Sequence, residues 1–127
     1  ENMTHKNRVH FTGRLNTLQL NNCYSAATAL LFPSLHEGFG MPIIEAFAAG
    51  CPVITSTTTA MPEVAGDAAL LVNPTELDEI VGALQKLSSN EALCAELRQK
   101  GFARAKLFSW NTVAKETAEI IKKLTGA

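Results

Sequence analysis

The sequence predicts an α/β fold built on a parallel sheet. Short apolar runs, Ala29-Leu30-Leu31-Phe32, Cys51-Pro52-Val53-Ile54-Thr55 and Ala68 to Val72, alternate with segments of helical period. Continuous runs of this kind suit strands covered by helices on both faces, the usual state of a parallel sheet. Proline and glycine also punctuate the helical segments in the order expected of helix starts and stops. At 127 residues the chain corresponds to one domain, long enough for its own core.

The polar lead-in Glu1 to Asn7 lacks the apolar centre of a signal peptide. Arg8-Val9-His10-Phe11-Thr12 alternates and stops at Gly13, which predicts a first short strand. Leu18, Leu20, Cys23, Tyr24 and Ala27 recur at near-helical spacing, with Asn16 or Thr17 as the cap. The Leu30–Phe32 strand follows, then a glycine loop. A helix runs from about Pro42 to Ala49, with Pro42 suited to its first position and Gly50 to its left-handed end.

After the second buried strand, Ser56, Thr57, Thr58 and Thr59 read as a solvated loop. Pro62 to Gly66 looks like one helical turn, and Glu63 is expected to belong to it. The Ala68–Val72 strand closes at Asn73-Pro74. Leu77, Ile80, Val81, Leu84 and Leu87 then trace a helical stripe behind a Thr75 cap. Ser88-Ser89-Asn90 ends that helix and caps the next. Ser109 opens the last one, whose stripe is Trp110, Val113, Ala114, Thr117, Ile120, Ile121 and Leu124. Trp110 is expected to be buried or to anchor packing, and His10 and His36 to be structural.

A net charge of -1 removes the electrostatic case for binding nucleic acid or an anionic membrane. Cys23, Cys51 and Cys94 are far apart and odd in number, without metal-ligand spacing. They read as reduced thiols of a cytosolic protein. No apolar run is long enough to span a bilayer.

The chemistry concentrates between Glu37 and Glu45. Gly38 and Gly40 permit positive φ and close approach of a ligand. The helix opening near Pro42 offers free N–H groups and a partial positive charge, which suits phosphate. Glu45, expected in the first turn, could take both hydroxyls of a ribose. Glu37 precedes the glycines, facing whatever the loop holds. The segment follows the carboxyl end of a strand, where ligands of such sheets sit. A structural reading stands beside this one. Glu45 could complement the helix dipole, the glycines could serve a tight turn, and Glu37 could be solvated.

The segments Phe32-Pro33-Ser34-Leu35-His36-Glu37-Gly38-Phe39-Gly40-Met41-Pro42-Ile43-Ile44-Glu45-Ala46, Ala49-Gly50-Cys51-Pro52-Val53-Ile54, Pro62-Glu63-Val64 and Gly66-Asp67-Ala68-Ala69 resemble the retaining glycosyltransferases of family 4 (group 1). Val9-His10-Phe11-Thr12-Gly13-Arg14-Leu15 and Phe108-Ser109-Trp110 match as well, so the resemblance runs from Val9 to Ile121. That family has the GT-B fold of paired Rossmann-like domains. The resemblance implies that residues 1–127 are the latter part of the C-terminal, donor-binding domain. The expected structure is a partial Rossmann-like three-layer domain with about four mostly parallel strands and C-terminal helices.

By the same resemblance, the parent enzyme transfers a hexose with retention. The donor is a UDP-, GDP- or ADP-sugar, and the acceptor a glycan or lipid-linked glycan of polysaccharide biosynthesis. The implied setting is cytoplasmic, with no cofactor and no protein-bound metal, and peripheral membrane association of the parent is compatible with it. Glu37 would be the catalytic-centre residue beside the donor sugar. Glu45 would bind the ribose. The N–H groups of Gly38, Phe39, Gly40 and Met41 would hold sugar hydroxyls and pyrophosphate, and Leu15 would sit by the base. The competing functional reading is a non-catalytic module that binds sugar nucleotides or a partner. A hydrolase with Glu37 and Glu45 as paired carboxylates fits poorly, because Glu45 lies along a helix entry.

The chain departs from the family in two ways. The N-terminal domain has no counterpart here, nor has the Gly-Arg…Lys segment whose cations offset charge on the leaving diphosphate. The 127-residue chain is therefore expected to be inactive alone. The strands that would separate Val9–Thr12 from Leu30–Phe32 are also lacking, so a rearranged sheet edge or a strand-exchanged homodimer is expected.

Overall fold

The computed structural model describes residues 4–126. Its centre is a parallel sheet of β1 (Leu30–Phe32), β2 (Val53–Ser56) and β3 (Ala69–Val72), in the order β1-β2-β3. Leu30 lies beside Val53 and Val53 beside Ala69, while Leu31, Ile54 and Leu70 align one residue on. Since successive side chains alternate, this register divides the strands between two apolar layers. Leu30, Phe32, Val53 and Ala69 join Ile43, Ala46, Phe47, Met61 and Val64 from α2 (Met41–Ala48) and α3 (Met61–Ala65). Ile54, Leu70 and Val72 join Ala83, Leu87, Cys94 and Leu97 from α4 (Leu77–Ser89) and α5 (Glu91–Ala105). All of β2 is buried, its apolar Val53 and Ile54 together with the polar Thr55 and Ser56.

Local chemistry sets the helix ends. In α1 (Thr17–Ala26), Asn16 and Gln19 form a reciprocal capping box, with bonds of 2.9 and 3.0 Å. The chain leaves α2 through Gly50, at φ +74°, and the Cys51 N–H returns 2.8 Å to the Ala46 carbonyl. Asn90 caps α5 through the Leu93 N–H, and Ser109 caps α6 (Trp110–Thr125) through the Thr112 N–H. The three cysteines are free thiols, Cys51 and Cys94 buried and Cys23 exposed. Among the described residues, no helix is long and apolar enough to cross a membrane.

Several expectations need correction. The α/β class with a parallel sheet is as expected, but among the described residues the sheet has three strands where about four were expected. Val9 is extended, at φ −107° and ψ 125°, but Val9–Thr12 joins no strand, and Phe11 is 92% exposed. A short strand persists only when a neighbour satisfies its N–H and C=O groups, and among the described residues no strand lies beside it. Among the described residues, no strand pairs with the outer edge of β1.

Thr75 does not cap α4, because the residue before the helix is Glu76, which makes no side-chain cap. Asn73 organises that turn, its Oδ1 accepting from the Thr75 N–H and hydroxyl, while Glu79 accepts from the Asn73 N–H at 2.7 Å. Trp110 is neither buried nor an anchor; it is 83% exposed, and no residue of α6 is buried. The stripe exists, but no element among the described residues covers it. His10 and His36 are also exposed, not structural core residues.

Candidate functional site

The site grows from the carboxyl ends of β1 and β2. Parallel pairing brings the hydroxyl run after β2 beside the loop after β1. Thr55 donates to the Phe32 carbonyl at 2.9 Å, Ser56 to the Ser34 carbonyl, and Thr58 to the Leu35 carbonyl at 3.2 Å. Thr59 accepts from the Glu37 N–H at 3.2 Å. Ser56 is buried and Thr58 half-buried. This corrects the reading of the run as solvated loop: its hydroxyls are cross-links that fix the Glu37 loop.

Thr59 has φ +53° and is the only non-glycine residue with positive φ among those described. For a β-branched residue this conformation costs ~1–3 kcal/mol, and strain of this kind persists where surrounding contacts hold it. Here those contacts are the bond from the Glu37 N–H and the start of α3, whose Met61 N–H reaches the Thr58 carbonyl.

Glu37 is half-buried, and its Oε1 accepts from the Ser34 hydroxyl at 2.9 Å. Its carboxylate is thus oriented at one oxygen, and the second has no hydrogen-bond partner among the described residues. Glu45 is exposed and lies in the second turn of α2, since the first turn holds no acid. That corrects its expected first-turn position and weakens a purely dipolar role, which falls off beyond the first turn. Tyr24 reaches across from α1 and donates to Glu45 Oε2 at 3.3 Å. Burial, then the charge of Glu45 and its hydrogen bond, push the Tyr24 phenol up to about 12.

Between the two acids, Gly40 takes the N-cap position of α2 at φ +96° and ψ 48°, without a side-chain cap. Among the described residues, the N–H groups of Gly38, Phe39, Gly40 and Met41 have no protein acceptor, whereas Ile43 N–H turns back to the Gly40 carbonyl at 3.0 Å. Only Gly40 uses the positive φ expected of both glycines. Gly38 has ordinary φ, and a Cβ there would meet nothing within 4 Å, so its value lies in open approach to the backbone. Phe39 packs edge-on against Phe108, with centroids 5.7 Å apart. Arg104 lies over Phe108 and donates to the Glu63 and Val64 carbonyls, tying that side of the loop to α3.

Leu15, expected near a base, is half-buried just before the Asn16 cap and belongs to neither apolar cluster. It is Tyr24, near the far end of the helix that follows Leu15, that brings α1 to the site. Sequence reading missed Tyr24, Ser34, Thr59 and Arg104 as site residues. Only Ser34 had a local signal, its position three residues before Glu37.

A cleft of about 470 Å³ lies elsewhere, lined in part by Thr28, Ser88, Cys94 and Arg98. It sits at the amino end of β1, the opposite end from the loop, and does not share the chemistry described above. Among the described residues, no three His, Cys, Asp or Glu side chains cluster as a metal site.

The uncapped helix entry and the two oriented acids thus lie beyond the carboxyl ends of a parallel α/β sheet, the place where ligands of such folds sit. Residues 1–104 match the family described as glycosyl transferases group 1, and the chain belongs to that family. It is 34% identical over 124 residues to O-antigen chain mannosyltransferase B of Escherichia coli, a match covering 98% of this chain and 32% of that protein. To the MMP alpha-(1->4)-mannosyltransferase of Mycolicibacterium hassiacum it is 35% identical over 119 residues, covering 91% of this chain and 29% of that one. A solved structure of sucrose-phosphate synthase from Thermosynechococcus elongatus matches with TM-score 0.85 at 31% identity, over 95% of this chain and 31% of that chain. The fold is that of a GT-B C-terminal domain. The chain spans about a third of the length of the curated relatives it matches.

Proposed function

We propose that the loop from Glu37 to Glu45 is the donor half of a hexosyl-transfer site and binds a nucleoside diphosphate sugar. The observation that carries this reading is the uncapped entry of α2, where four consecutive backbone N–H groups, Gly38 to Met41, lack protein acceptors among the described residues. An N-terminal helix entry of this kind attracts a diphosphate through its donors and its dipole. Glu45, held on one oxygen by Tyr24, accepts from the ribose hydroxyls. Glu37, steadied by Ser34 and Thr59, contacts the donor sugar. The names of two relatives, both mannosyltransferases, favour a mannosyl group on the donor.

Arg104 does not serve the diphosphate, because its guanidinium is committed to the carbonyls of α3. The backbone donors alone stabilise a ground-state diphosphate better than a departing one, whose added charge needs a cation. The 127-residue chain accordingly binds the donor without transferring its sugar. Titration with UDP, GDP and ADP, followed by backbone amide NMR shifts, tests the binding. The expected shifts centre on Gly38–Glu45. Shifts confined to other regions, or none with any of the three nucleotides, would overturn the reading.

A further inference from the structure

The loop between the two acids is held by little of its own. Gly38 and Gly40 flank Phe39, and glycine has more backbone freedom to lose than any other residue. The N–H groups from Gly38 to Met41 have no protein acceptor among the described residues, so hydrogen bonds of this stretch do not fix it. The Glu37 N–H is tied to Thr59 at one end, and Gly40 is buried where α2 begins. Among residues 38–40, only Phe39 has a side chain with which to fasten the loop.

That side chain meets Phe108, with ring planes at 81° and centroids 5.7 Å apart, the edge-to-face geometry that aromatic pairs favour. Phe108 is held in its turn. Its N–H donates to the Ala105 carbonyl at 3.1 Å, and its ring packs beside the cluster that contains Ile43 and Phe47. The guanidinium of Arg104, one helical turn back, lies over the ring at 5.2 Å from its centroid, within reach of a cation–π contact. The guanidinium is fixed as well, since Nε donates to the Val64 carbonyl at 3.0 Å and Nη2 to the Glu63 carbonyl. Gly66 leaves room for it: a Cβ there would lie 3.2 Å from Arg104 Nε and 3.3 Å from its Cζ. The contacts thus run from α3 through Arg104 and Phe108 to Phe39. Thr59, just before α3, holds the Glu37 end, so both tethers of the loop rest on one support. Core packing alone does not account for the aromatic pair, because Phe39 belongs to neither apolar cluster.

We propose that Phe108 and Arg104 are positioning residues of the donor site. They hold Phe39 and, through it, aim the N–H groups of Gly38 to Met41 at a diphosphate, a role that rests on the reading of this loop as a nucleotide site. Neither side chain touches the ligand, and Arg104 acts through its fork and its stacking rather than through its charge.

Calorimetric titration of the 127-residue protein with UDP, GDP and ADP, joined to backbone amide NMR, tests the proposal. An edge-to-face contact is worth about three- to tenfold in an equilibrium, so Phe39→Leu and Phe108→Leu should each weaken the best-bound nucleotide by that order. The double variant should bind no more weakly than the poorer single variant, since either change alone breaks the same contact. Side chains that only support the fold separately would give losses that multiply. Without ligand, F108L should already shift the amides of Gly38 to Met41. Arg104→Lys keeps the charge without the two-pronged fork and should lose as much affinity as F108L. Phe39 lies outside both clusters, so F39L reads the contact even where F108L lowers stability. Wild-type affinity in F39L or R104K, multiplied losses in the double variant, or unmoved loop amides in F108L would each overturn the proposal and leave the donor reading standing. A wild type that binds none of the three nucleotides would overturn the donor reading and this proposal with it.

Discussion

Replacing Gly40 with alanine separates the backbone demands of the site from its exposure to ligand. Gly40 sits at φ +96°, and an added Cβ would lie 3.1 Å from Ile43 Cδ1 and 3.8 Å from Ile43 Cγ1. The left-handed conformation costs an L-residue ~1–2 kcal/mol. Ile43 is fully buried, so its side chain can yield only by disturbing the packing of α2 on the sheet, which adds ~1 kcal/mol. The smaller conformational entropy of alanine in the unfolded chain returns ~0.4–1 kcal/mol. The net loss is ~1–2 kcal/mol, which lowers a urea midpoint by about 1 M.

Gly38→Ala is the matched control. Its φ is ordinary and the space around it is empty within 4 Å. Stability should change by less than ~0.5 kcal/mol, while the methyl group would stand where the proposed diphosphate approaches the backbone. G38A should therefore weaken nucleotide binding without loosening the fold. Equilibrium urea unfolding and calorimetric titration read the two effects. The reasoning fails if G40A unfolds at the wild-type midpoint, or if G38A loses as much stability as G40A.

Further predictions follow from the same geometry. Tyr24 is the only tyrosine, so phenolate absorbance reports it alone. Its midpoint should lie near 12 and move down in Glu45→Gln, without reaching that of a free phenol, because burial is the largest cause of the shift. The folded-state value is raised, so the stabilisation is fully present below pH ~10 and is lost as pH rises toward about 12. Ser34→Ala removes the hydroxyl that orients Glu37. It should cost ~1 kcal/mol or less in unfolding and weaken binding of the nucleotide sugar more than that of the bare nucleotide. Gly101→Ala would place a Cβ 2.9 Å from Phe47 Cδ1, where α5 meets α2. Its expected cost is ~1–3 kcal/mol in thermal or urea unfolding, with the Tyr24 titration unchanged.

Much of this architecture was legible because local chemistry and tertiary packing agree. The apolar runs at Leu30–Phe32 and Val53–Ile54 became parallel strands, and Gly50 and Ser109 took the terminal roles their residue types suggest. What stayed hidden depends on neighbours distant in sequence. Alternation at Val9 and Phe11 reads as a strand, yet a strand needs a partner edge, and local pattern is silent on whether one exists. The stripe of α6 was visible, but a stripe states only that a face is apolar, not what covers it.

The same limit governed the site. Glu37, Gly40 and Glu45 stood out by spacing around a helix start. Thr59 and Tyr24 did not, because their roles arise only when β2 pairs with β1 and α1 packs beside α2. A run of hydroxyls looks solvated in one dimension; in three, Thr55, Ser56, Thr58 and Thr59 bind the loop that carries Glu37. The family match supports the reading of that loop as a donor site, while its individual contacts rest on the geometry.

The most direct test of the donor site joins one ligand atom pair to one side chain. The tightest binder among UDP, GDP and ADP is compared with its 2′,3′-dideoxy analogue by calorimetric titration, on the wild type and on Glu45→Ala. Losing hydrogen bonds to a carboxylate should weaken wild-type binding at least about tenfold, and E45A should bind both ligands with the same reduced affinity. Equal affinities on the wild type, or a full dideoxy penalty that persists in E45A, would contradict the assignment of Glu45 to the ribose.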